Sequence, residues 1–149
     1  MFIIKTKKAE FHFDNGLKSI TPIEKMDNHS VSFLMETYHQ FELTQTRPES
    51  AFLIMLEDSG YEVDWDVDYS QCNNKEEFEF WEGNVIAANM VISMRRGYKV
   101  FFVGLEIDEE YLTNPEKLEE LKSHANKFYG CKVRFRQDEE KKRVTIEVV

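Results

Sequence analysis

The chain has 149 residues, a hydrophobic fraction of 42%, 13% aromatics and a formal net charge of −9. That length predicts one domain, residues 1–149, able to bury roughly two-thirds of its unfolded surface, and the composition is globular rather than disordered. The acidic balance argues against direct binding to a nucleic-acid backbone, which needs clustered Lys and Arg, and favours steering toward a basic partner.

The opening "MFIIKTKKAEF" holds an apolar run too short for a signal-peptide core, and no later run reaches the length of a membrane span. The expectation is a cytoplasmic chain with no membrane contact. Residues 2–6 read as a strand. "FHFDNGLKSI" then sets Asn15-Gly16 between two apolar stretches, the residue pair that best tolerates the positive φ of a tight hairpin.

From Ser30 the period lengthens. Val31, Leu34, Met35, Tyr38 and Phe41 recur at three- and four-residue spacing and define one helix face, with Asn28 or Ser30 as its cap. A second helix follows in "RPESAFLIMLEDSG", with Pro48 in its first turn and Gly60 just past its end.

Next comes "YEVDWDVDY", residues 61–69. Tyr61, Val63, Trp65, Val67 and Tyr69 alternate with Glu62, Asp64, Asp66 and Asp68, the pattern of a half-solvated strand. The same junction recurs twice more: Gly97 leads into "YKVFFVGLEI" and Gly130 into "CKVRFRQ", each glycine ending a helix in the left-handed region. Before Gly97, "EFEFWEGN" alternates like a strand while "NVIAANMVISMRR" is apolar nearly all round and reads as a buried helix. "KVFFVGLEI" is apolar on both faces, as a central covered strand is. Asn114, Pro115, Leu118, Leu121, Ala125 and Phe128 mark the last helix.

A C-terminal hairpin joins "CKVRFRQ" to "RVTIEVV". A turn centred on Glu139 and Glu140 sets Lys132 opposite Glu147 and Arg134 opposite Thr145, with Val133, Phe135, Val144 and Ile146 on one face. The fold class expected is therefore α+β: a mostly antiparallel sheet with an N-terminal β-hairpin, three to four helices packed on it and a C-terminal β-hairpin.

The four carboxylates at Glu62, Asp64, Asp66 and Asp68 carry the sharpest functional question. As a calcium loop they fail, because Tyr69 stands where glycine is required and Lys75 where a bidentate Glu is required. As a metal-dependent hydrolase or nuclease site, Asp64 and Asp66 supply two ligands, but no phosphate-cradling Gly-rich loop accompanies them. As the wet side of a strand they pair with bases such as Lys132, Arg134 and Arg136, each cross-strand pair contributing about 0.2–1 kcal/mol. The C-terminal hairpin competes for those bases, so an acidic strip is left over.

Other chemistry-bearing residues have simpler readings. Glu36 and His39 form one Glu-x-x-His where a di-iron bundle needs two copies. His12, His29 and His124 lack metal-ligand spacing. Cys72 sits in a polar loop and Cys131 on the apolar side of a strand, two free thiols outside any Cys-x-x-Cys pair. Phe78, Phe80 and Trp81 stand in an acidic setting and are candidate exposed anchors, Trp81 foremost, with core packing as the ordinary alternative.

These residues lead to a non-enzymatic acidic binding protein that docks on a basic protein, of inhibitor, immunity or charge-mimic type, through Glu62, Asp64, Asp66, Asp68 and Trp81. No cofactor or metal is implied, and a homodimer is open. The competing classes are the small metal-dependent hydrolase or nuclease using Asp64 and Asp66, and a small-ligand sensor domain.

Overall fold

A computed structural model describes residues 1–102, 105–107, 116 and 133–148. The architecture is α+β, in the order β1 (Phe2–Lys5), β2 (Ala9–Phe13), β3 (Leu17–Pro22), α1 (Asn28–Thr44), α2 (Pro48–Asp58), α3 (Lys75–Arg95), β4 (Lys99–Phe102), β5 (Leu105–Ile107), β6 (Val133–Asp138) and β7 (Arg143–Val148). Its strands form two sheets, β1-β2-β3 and β5-β4-β7-β6. Two compact units, residues 1–78 and 79–149, are taken in turn.

In the first unit β1, β2 and β3 make an antiparallel meander. Its second turn is the expected Asn15-Gly16 pair, at φ of 53° and 114°. One face of the sheet presents Phe2, Ile4, Phe11 and Phe13, all buried. Against these pack Leu34 and Tyr38 of α1 and Phe52, Leu53 and Leu56 of α2, also buried. The Phe52 ring meets Phe11, Phe13 and Tyr38 edge-on, with centroids 5.6, 6.3 and 5.4 Å away. Edge-to-face contacts of this kind add about 0.5–1.5 kcal/mol each beyond the area they bury.

Helix α1 buries the face its spacing predicts, but its cap differs. Asp27 is the N-cap, not Asn28 or Ser30, and its carboxylate accepts the Ser30 amide at 2.6 Å. Helix α2 runs from Pro48 to Asp58, and just past its end Gly60, at a φ of 82°, lets the Tyr61 amide reach back to the Leu56 carbonyl at 3.0 Å.

In the second unit, the division of residues 77–96 into a strand and a helix does not hold. Helix α3 runs unbroken from Lys75 to Arg95 and includes "EFEFWEGN". Its start is fixed by Asn74, whose side chain accepts the Glu77 amide at 2.8 Å. A good cap and a following apolar helix override the local alternation. Gly97, at φ 81°, ends α3 as expected. "KVFFVGLEI" is two strands instead of one: β4 pairs antiparallel with β5, and the chain reverses between Phe102 and Leu105. Strand β4 is nonetheless internal, with β7 parallel to it on the other side.

The C-terminal hairpin forms with its register two residues from the expected one. Arg134 faces Glu147, Arg136 faces Thr145 and Asp138 faces Arg143. The turn is Glu139–Lys142, because the Asp138 carboxylate accepts the Glu140 and Lys141 amides at 3.1 and 3.2 Å and Lys142 takes a φ of 50°. A slip of two keeps every residue on its side, so Val133, Phe135, Val144 and Ile146 still share a face. The helix expected around residues 114–130, together with Gly130, Cys131 and Lys132, lies outside the described residues. Among the described residues, no helix is long and apolar enough to cross a membrane.

Candidate functional site

The segment Tyr61–Tyr69 is not a strand. It makes a single bridge, Thr6 to Val63, and otherwise has no ladder. Its exposure nevertheless alternates without a break: Glu62, Asp64, Asp66 and Asp68 are exposed, Val63 and Tyr69 are buried, and Tyr61, Trp65 and Val67 lie between. The period-two pattern thus reports which side is wet. It does not report hydrogen bonding to a neighbour.

Two contacts tie the start of the segment to the end of β1 and one ties it to α2. The Lys7 amide donates to the Tyr61 carbonyl at 3.0 Å, the Asp64 amide donates to the Lys5 carbonyl at 2.8 Å, and the Val63 amide donates to the Glu57 carboxylate at 2.8 Å. Its far end is held where Tyr69 stacks on Phe2, with centroids 5.7 Å apart, and meets Phe78 edge-on at 5.2 Å.

Between those anchors the aspartates turn the chain on itself. Asp64 Oδ1 accepts the Asp66 amide at 3.0 Å, and Asp68 Oδ1 accepts the Ser70 amide at 2.8 Å. Short acidic side chains compete with a ladder for backbone donors in this way, which is why Asp is depleted in strands. The result is a shallow pocket of about 140 Å³ lined by Ile3, Lys5, Asp64, Asp66, Val67, Asp68 and Gln71.

The four carboxylates differ in what they already hold. Glu62, at a strained φ of 53°, pairs with Lys7 at 3.0 Å. That contact raises the Lys7 pKa, chiefly through the hydrogen bond from its ammonium to the Glu62 carboxylate. Both side chains are well exposed, so the pair adds little stability. Asp64 has only the Asp66 amide, and the Asp66 carboxylate has no partner among the described residues. The basic ladder does not neutralise the row within this unit, since Arg134 and Arg136 belong to the other one.

One expectation about a neighbouring residue is corrected. Trp81 is 5% exposed and is a buried side chain, not a surface anchor; the exposed aromatic beside it is Phe80, at 42%. Helix α3 buries nearly every residue between Trp81 and Ser93, and that leaves an indole no route to the surface. Cys72 is partly buried, with its amide donating to the Tyr69 carbonyl at 3.1 Å.

Some polar groupings were not singled out from the sequence. On the outer face of the first sheet, His12 Nε2 lies 3.2 Å from Thr21 Oγ1 and 3.7 Å from Glu10. Both partners address one ring nitrogen, so the trio is no acid–base relay, which needs a partner on each nitrogen. It was findable once the Asn15-Gly16 turn fixed the register. In α3, Glu82 is 1% exposed and its Oε2 has no hydrogen-bond partner among the described residues. Burial, reinforced by Glu79, pushes its carboxyl up to about 7. Among the described residues, no group of three or more His, Cys, Asp or Glu side chains is arranged to hold a metal ion. Compared with known proteins, the chain matches no family model, no curated protein and no solved structure.

Proposed function

We propose that the chain is a non-enzymatic acidic binding protein that docks on a basic protein through the row Glu62, Asp64, Asp66 and Asp68. The observation that carries this reading is the row itself: four carboxylates at alternate positions, all exposed, on a segment pinned at both ends to a packed sheet. Pinning matters because a partner need not order a mobile loop on binding, which lowers the cost of association. Opposite charge speeds encounter and selects against acidic competitors, the behaviour expected of an inhibitor, an immunity protein or a charge mimic.

The test is affinity capture with the wild-type chain and with an Asp64→Lys, Asp66→Lys double variant, at low and high salt. A basic protein is retained at low salt, and the double reversal weakens retention by about tenfold or more. Retention that survives the reversal removes the acidic row from the account.

A further inference from the structure

The bridge between Thr6 and Val63 fixes the register in which a longer ladder would run. Continued along the two segments, it sets Lys5 opposite Asp64, Ile4 opposite Trp65, Ile3 opposite Asp66 and Phe2 opposite Val67. Every one of these pairs agrees in the face its two residues occupy. Phe2 and Ile4 are buried on the core face, where Trp65 and Val67 are half-buried, and Lys5 and Ile3 lie on the outer face with the exposed Asp64 and Asp66.

Backbone polarity agrees as well. The Thr6 amide donates to Ala9, so strand alternation turns Ile4 and Phe2 toward β2 and turns Lys5 and Ile3 outward. The Lys5 carbonyl already takes the Asp64 amide. The Lys5 amide and both Ile3 backbone groups have no backbone partner among the described residues, and both residues line the pocket. In the extended ladder the Asp66 amide would donate to the Ile3 carbonyl. It is held instead by Asp64 Oδ1. One donor thus has two competing acceptors. The Trp65 indole N–H, buried without a hydrogen-bond partner, shows that the present arrangement leaves a polar group unsatisfied.

We propose that Tyr61–Tyr69 is a strap poised to close onto β1 as a fourth strand of the first sheet, with the Asp64 carboxylate as its latch. Closing exchanges the Asp64–Asp66 turn for the Ile3–Asp66 pair, fills the gap beside β1 and carries Trp65 and Val67 toward Ile4 and Phe2. The row of acids stays on the outer face in both states, so the strap changes the spacing of the carboxylates without hiding them.

Amide hydrogen exchange and nuclear Overhauser spectra of the full chain test this. In Asp64→Ala, which removes the latch acceptor at an exposed position, the Lys5 and Asp66 amides exchange at least about tenfold more slowly than in wild type. A contact between the Ile4 and Trp65 α-protons appears with them. Asp64→Asn keeps an acceptor oxygen and behaves like wild type. The proposal is overturned if exchange at Lys5 and Asp66 is unchanged in Asp64→Ala, if Asn closes the strap as fully as Ala, or if the Ile4–Trp65 contact is already present in wild type.

Discussion

Glu82→Gln isolates the cost of a buried carboxyl. Glu82 is 1% exposed, its Oε2 has no hydrogen-bond partner among the described residues, and its pKa rises from 4.5 to about 7 through burial first and Glu79 second. A carboxyl with a raised folded pKa binds its proton more tightly in the folded chain. Below pH 4.5 both states are protonated and nothing is lost. Between 4.5 and about 7 the unfolded chain releases the proton while the folded one keeps it, so stability falls as pH rises. Above about 7 the penalty is constant. At about 1.4 kcal/mol per pH unit the interval sets a ceiling of about 3 kcal/mol, and relaxation of the surroundings around a buried charge reduces the expected difference to about 1–2 kcal/mol. Glutamine is neutral at every pH and nearly the same shape. Urea unfolding of both chains at pH 5 and pH 8 therefore gives a variant whose advantage grows toward alkaline pH by that amount. Equal pH dependence in the two chains would refute the assignment of a raised pKa to this group.

Two further outcomes follow from the first unit. Phe52→Ala removes a fully buried ring that meets three others, and thermal or urea unfolding should show a loss of about 3–5 kcal/mol; a loss below about 1 kcal/mol would mean the cluster repacks. Asp27→Ala deletes the cap of α1 and leaves the Ser30 amide without its carboxylate, at a cost of about 1 kcal/mol, whereas Asn28→Ala leaves stability unchanged within about 0.5 kcal/mol.

Much of the fold was legible because the relevant signals are local. Asn15-Gly16 specifies its turn through two backbone conformations that few residues tolerate, and the α1 face follows from helical spacing alone. Pro48 and Gly60 bracket α2 for equally local reasons. Where two local signals conflict, the reading of α3 shows which one prevails. Residues 77–80 alternate, but Asn74 caps a helix three residues before Glu77, and the pattern Asn-x-x-Glu marks that start in the sequence. The C-terminal register missed by two because side-chain period fixes only parity. The remaining choice belongs to the turn, and Asp138 makes it by accepting two amides.

The segment 61–69 carries this reasoning furthest. Its alternation was read as a strand, and burial does alternate, yet the backbone pairs at a single bridge. Hydrophobic periodicity records the side of the chain that water wets, and any extended segment lying on a core shows it. Whether such a segment also joins a ladder depends on whether its polar residues leave the backbone donors free. Val or Lys at the even positions would leave them free; Asp at 64 and 68 takes the amides of Asp66 and Ser70. The residues proposed as a docking surface are thus the ones whose side chains occupy the amides a ladder would use. A partner that claims the Asp64 carboxylate would displace the Asp66 amide and leave that donor for the Ile3 carbonyl, so docking on this row would favour pairing with β1.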